Sequence, residues 1–204
     1  PQTKSHPYLH CLLRQALKEE LLTQANEILT AYQNSGALIH SLELLLFEAF
    51  DNTVKLPKQQ QSDVHDPLQS TELEKAVNFL RPLQCFPELV MRCARKTEAA
   101  TWPMLFSVAG DPVTLLNACI TKGQILIAAS YLRIILELKG EEQSIGCAVE
   151  LLGISLEQSD YELASDLLRF IKTGETKQLT LMANIDKALQ SHRTMLQQAG
   201  DVIH

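Results

Sequence analysis

Residues 115–135 return in altered form 36 positions later. Leu115 and Leu116 recur as Leu151 and Leu152, Ala128 as Ala164, Leu132 as Leu168, Arg133 as Arg169 and Ile135 as Ile171. These are six identities in 21 positions, where roughly two would arise by chance in so leucine-rich a segment, and a period of this size is the mark of stacked helix pairs. The same spacing of alanine, leucine and a large apolar residue occurs at Ala25, Leu29 and Tyr32. Small alanines let a partner helix approach closely, and leucines fill the groove between neighbours. The tetratricopeptide signature is absent. The expected fold is therefore all-α, an irregular α-solenoid of antiparallel helical hairpins, with a compact helical bundle as its competitor.

Helical punctuation extends along the chain. Leu9, Leu12, Leu13, Ala16 and Leu17 fall at three- and four-residue spacing, and Leu21, Leu22, Ala25, Ile28 and Leu29 continue the pattern after a break near Glu19. Asn34-Ser35-Gly36 ends it. Leu38 to Phe50 is apolar enough to be enclosed on most sides, with Glu43 and Glu48 expected to mark the stripe that faces water. Residues 53–70 hold Pro57, Pro67 and a glutamine run, and read as a flexible loop between hairpins. Thr71-Glu72-Leu73-Glu74 and Ser159-Asp160-Tyr161-Glu162 both fit the capping box, so each predicts a helix start. Pro87, Pro103 and Pro112 suit the first helical turn, where a missing N–H costs nothing. Gly110, Gly123, Gly140 and Gly174 mark turns. No stretch alternates as a strand does, and residues 1–204 are expected to form one helical-repeat domain.

Composition narrows the function. A net charge of -6 argues against a broad electrostatic footprint for nucleic acid. Cys11, Cys85, Cys93, Cys119 and Cys147 are odd in number and never in a CxxC pair, which fits reduced thiols better than a disulfide framework or zinc site. Ile125 to Leu138 is the most apolar stretch, but its 14 residues include Arg133, and a span needs about 20 residues. It reads as a buried helix. The chain opens at Pro1 without a signal-peptide pattern, and is expected to be a fragment of a longer protein.

The densest cluster of distinctive residues lies between Arg92 and Gly110. If Pro87 to Ala100 is helical, Leu89, Val90, Cys93, Ala94 and Thr97 form one stripe, and Arg92, Arg95 and Lys96 lie away from it. Those three cations are the expected partner-binding strip. Cys93 falls on the buried side with no histidine spaced as a general base, and reads as a small hydrophobe. Trp102 reads as a packing anchor. His6 and His10 stand four apart beside Cys11, but no further ligands complete a metal site. There is no Walker A, GxGxxG or GxSxG sequence, so no catalytic residue, metal or cofactor is assigned.

The strings "RCARKTE", "ATWPMLFSVAGDP" and "AASYLRIILEL" resemble the C-terminal helical domain of the ribosome control protein 1 family. The likeness is strongest over Phe86 to Leu138, looser around "HCLLRQAL" and "SLELLLFEAF", and weaker through "LEQSDYELASDLLRFIK". Members of that family form the larger subunit of the Ric/Rgp complex, a guanine-nucleotide exchange factor for a Golgi Rab GTPase of the Rab-six class. The resemblance implies a helical scaffold that is not an enzyme by itself and needs no cofactor. Its implied partners are the smaller Ric/Rgp subunit and the Rab, and its implied location is cytoplasmic, peripheral at the Golgi membrane through the complex. Propeller strands, which precede the helical region in the family, are not read here. A coat-type solenoid scaffold without exchange activity is the alternative.

Overall fold

The computed structural model describes residues 8–55 and 71–173, and among them the regular elements are helices, with no strand. None of these helices is by itself long and apolar enough to cross a membrane. The chain divides into two compact units, Pro1–Asp111 and Pro112–His204.

The first unit contains α1 (Leu9–Lys18), α2 (Leu22–Tyr32), α3 (Leu38–Lys55), α4 (Glu72–Leu80), α5 (Phe86–Arg95), a short 3-10 turn (Ala99–Thr101) and α6 (Trp102–Ala109). Helix α3 is its centre, packing on α1, α4 and α5. That explains its apolar composition: Leu42, Leu45, Leu46, Ala49 and Phe50 are all buried, and a helix enclosed on several sides cannot show a narrow stripe. The break at Glu19 is real. Leu21 N–H donates to the Ala16 carbonyl and Glu20 N–H to the Leu17 carbonyl, with Glu20 in the left-handed region at φ 59°.

Helix α3 runs on to Lys55, so the expected loop starts later than Thr53. The Thr53 hydroxyl donates to the Ala49 carbonyl at 2.8 Å, and Lys55 pairs with Asp51 one turn earlier. The remainder of that expected loop, residues 56–70, lies outside the described residues, as do His6 and Gly174.

Thr71 opens α4 as a capping box. Its hydroxyl accepts the Glu74 N–H at 3.2 Å, and the Glu74 carboxylate accepts the Thr71 N–H at 2.7 Å.

The second unit contains α7 (Pro112–Thr121), α8 (Ile125–Ser130), α9 (Leu132–Lys139), α10 (Glu141–Glu157) and α11 (Tyr161–Thr173). The 36-residue repeat is visible as two hairpins: α7 packs on α8, and α10 packs on α11. Leu116 and Leu152, Ala128 and Ala164, and Ile135 and Ile171 are buried in matched positions, while Arg133 and Arg169 both face water. The stretch expected as one buried helix is instead divided at Tyr131, with Leu126 and Leu136 exposed. Ser144 ties α10 to α9 by donating to the Leu132 carbonyl at 2.8 Å.

The second capping box is displaced by one residue. Asp160, not Ser159, caps α11, its carboxylate accepting the Leu163 N–H at 3.1 Å. Ser159 is occupied in closing α10: it has φ 59°, and the next N–H, from Asp160, donates back to the Ser155 carbonyl at 2.8 Å. A residue in the left-handed region cannot also be the extended residue that a cap requires.

Candidate functional site

The cationic strip lies on α5. Proline at its second position suits the first turn, and the face formed by Leu89, Val90, Cys93 and Ala94 is buried as the spacing predicts. Met91 is buried as well, so the enclosed face is broader than the expected stripe. At the C-terminal end the Ala94 carbonyl accepts the Thr97 N–H, the Thr97 hydroxyl and, at 2.9 Å, the indole N–H of the buried Trp102. Trp102 is thus an anchor that satisfies an open helix end with its one polar atom. Arg81 performs a similar task on α6. Its guanidinium donates to the Val108 carbonyl at 2.8 Å and lies 5.7 Å from the centre of the Phe86 ring.

Glu43 departs from expectation. Its place in the sequence predicts a water-facing stripe, yet it is 4% exposed. A carboxylate can be enclosed only if cations or donors replace its water. Lys96 supplies one at 2.5 Å and Arg92 another at 3.4 Å. The side chains of both bases are about half-exposed, whereas that of the acid is nearly covered. Burial by itself would raise the Glu43 pKa, but the hydrogen bond and charge of Lys96, then those of Arg92, outweigh it and hold the carboxyl below its ordinary value. Arg92 also bridges to Glu88 one turn back at 2.7 Å, and that hydrogen bond raises its own pKa.

Of the three cations, only Arg95 is directed to solvent without an ion pair among the described residues. Arg92 and Lys96 are committed to holding α5 against α3. Sequence periodicity separated polar from apolar faces correctly but carried no sign that an acid 49 and 53 residues upstream would meet the polar one.

The same cluster settles the chemistry of Cys93. Burial, and then the charge of Glu43, push its thiol up to about 12. Such a thiol keeps its proton near neutrality and is a poor nucleophile there. Elsewhere, His10 Nε2 lies 3.3 Å from the Cys11 sulfur and 3.2 Å from Glu48, which also takes Arg14 at 2.9 Å. That arrangement pins α1 to α3. No group of three or more histidine, cysteine or acidic side chains among the described residues is placed to hold a metal ion.

Comparison with known proteins gives this arrangement a context. The model of the family described as the RIC1 C-terminal alpha solenoid region matches residues 10–190. The guanine nucleotide exchange factor subunit R06F6.8 of Caenorhabditis elegans is 31% identical over 169 residues, 83% of this chain and 11% of that protein. Guanine nucleotide exchange factor subunit RIC1 of Homo sapiens is 31% identical over 176 residues, 85% of this chain and 12% of its own length. The Mus musculus RIC1 subunit is 33% identical over 179 residues, with the same two shares. The chain therefore spans only about an eighth of the length of the curated relatives it matches. No solved structure matches.

Proposed function

We propose a scaffold function from one premise: the chain belongs to the RIC1 family, within its C-terminal α-solenoid region. It is a helical scaffold region of the larger subunit of a two-subunit guanine-nucleotide exchange factor. The substrate is a Golgi Rab GTPase of the Rab-six class, the partner is the smaller Ric/Rgp subunit, and attachment to the cytoplasmic side of the Golgi membrane is peripheral and runs through the complex. The observation that carries this reading is identity of 31–33% with exchange-factor subunits over 83–85% of the chain.

Nucleotide exchange fits what these residues offer. An exchange factor stabilises the nucleotide-free GTPase by differential binding, with no covalent step and no cofactor of its own. What is required of the scaffold is rigid placement of contact faces. Helix α5 suits this, being fixed to α3 through Glu43 and to the start of α6 through Trp102. Its polar side presents Arg95, with the half-exposed side chains of Arg92 and Lys96 beside it, as the recognition strip.

The test loads the Rab with a fluorescent nucleotide and adds the intact two-subunit assembly. Release accelerated well above the intrinsic rate is expected, and Arg95→Glu should weaken the assembly's binding to the smaller subunit or the Rab. Release at the intrinsic rate overturns the reading. Arg95→Glu is preferable to alanine at all three cations, because that change would also leave Glu43 buried and alone.

A further inference from the structure

Away from α5, the first unit carries two adjoining cavities that share Leu17 and Lys75 in their walls. The smaller, of about 150 Å³, has Arg14, Lys18, Lys75 and Glu72 around a floor that includes Leu45 and Ala76. The larger, of about 490 Å³, lies between Leu22 and Phe79, with Asn26 and Asn78 beside them. Together they form one groove with an apolar floor and a polar rim. Helix α2 borders it and is poorly covered: it buries only Ala25, and Leu22 is 55% exposed.

The charge on this groove runs against that of the chain. Three cations, Arg14, Lys18 and Lys75, and two carboxylates, Glu72 and Glu20, line the two cavities together, whereas the chain as a whole carries -6. Each cation has an acid of this chain, but the two lysines differ in how firmly they are held. Lys18 meets Glu72 only at 3.5 Å and is half-exposed, and Lys75 meets the well-exposed Glu20 at the α1–α2 turn. The Glu20 pair lies in solvent and contributes little, so a new carboxylate can replace Glu20 with little loss, while half-exposed Lys18 can take a second carboxylate without leaving the buried Glu72 oxygen. An apolar floor with a cationic rim is complementary to an amphipathic segment that has acids beside its apolar face.

We propose that this groove docks an acidic amphipathic segment of the companion subunit. Its apolar side chains enter between Leu17, Leu22 and Phe79, and its carboxylates reach Lys18 and Lys75. The proposal rests on the reading of this chain as part of a two-subunit exchange factor.

Titration of the full-length protein with the companion subunit, followed calorimetrically at low and high salt, is the experiment. Leu22→Asp, and separately Lys18→Glu with Lys75→Glu, should each weaken binding at least tenfold with the helical circular-dichroism spectrum retained. The salt dependence of the wild type should be largely lost in the lysine variant. Two variants of different chemistry guard against one that folds poorly. Wild-type binding with both variants equal to it overturns the groove and leaves the exchange-factor reading standing. Failure of the wild-type protein to bind the companion subunit overturns that reading, and the groove with it.

Discussion

Glu43, in the interior of α3, and Lys96, one residue past the end of α5, form an ion pair of 2.5 Å in which the acid is buried and the base half-exposed. Arg92 stands behind Lys96 as a second cation at 3.4 Å. Removal of one base leaves the other to neutralise Glu43, so Lys96→Ala or Arg92→Ala alone should be mild. The double variant strands a buried charge and should cost about 3–5 kcal/mol, well beyond the sum of the singles. Chemical unfolding of the four proteins checks this, and strict additivity would refute it. Adding Glu43→Gln to the double variant should restore part of the loss, since a neutral amide is less costly to bury.

The pH dependence follows with a definite sign. The folded pKa of Glu43 lies below its ordinary value near 4.5, so the unfolded chain binds more protons than the folded one as pH drops through that range. The stabilisation is complete above the ordinary carboxylate value and is lost as pH falls through the folded one. Thermal melting recorded from neutral pH down into that acid window should show an acid limb, and Glu43→Gln should flatten it. An unchanged limb in Glu43→Gln would assign it to other carboxylates.

Thiol labelling separates the cysteines by environment. With its pKa near 12, Cys93 is thiolate in roughly one molecule in ten thousand at pH 8, and it is also enclosed. Cys11 and Cys85 are partly exposed. Alkylation of the folded protein followed by peptide mass spectrometry should modify Cys11 and Cys85 well before Cys93. First labelling at Cys93 would contradict its burial.

What was legible in the sequence was whatever depends on near neighbours. The 36-residue repeat located both hairpins of the second unit, because apolar spacing within a helix dictates which side is covered. Thr71 and Glu74, three apart, announced their own hydrogen bonds. The burial of Glu43 is not legible because α5 decides it, and a lone acid in an apolar helix has the same local pattern whether it faces water or a distant lysine. That Arg92, Arg95 and Lys96 share the polar face of α5 is legible for the same local reason, but the buried acid that two of them meet is not foreseeable. The hold of Trp102 on the Ala94 carbonyl is likewise tertiary, although a tryptophan before a proline helix start signals an anchor.

The last test concerns the displaced cap, where two readings of one serine give opposite signs. If Ser159 were the N-cap of α11, glycine there would cost a few tenths of a kcal/mol by removing an acceptor. It instead closes α10 at φ 59°, a conformation that a side chain penalises by roughly 1 kcal/mol or more and glycine does not. Ser159→Gly should therefore stabilise the protein by about 0.5–1 kcal/mol, after allowance for glycine's greater freedom when unfolded. Asp160→Ala, which removes the carboxylate that accepts the Leu163 N–H, should cost about 1 kcal/mol. Glu20, at φ 59° in the α1–α2 turn, obeys the same logic, and Glu20→Gly should also stabilise, because its pair with Lys75 lies in solvent and contributes little. Melting curves showing Ser159→Gly below the wild type and Asp160→Ala equal to it would return the cap to the serine.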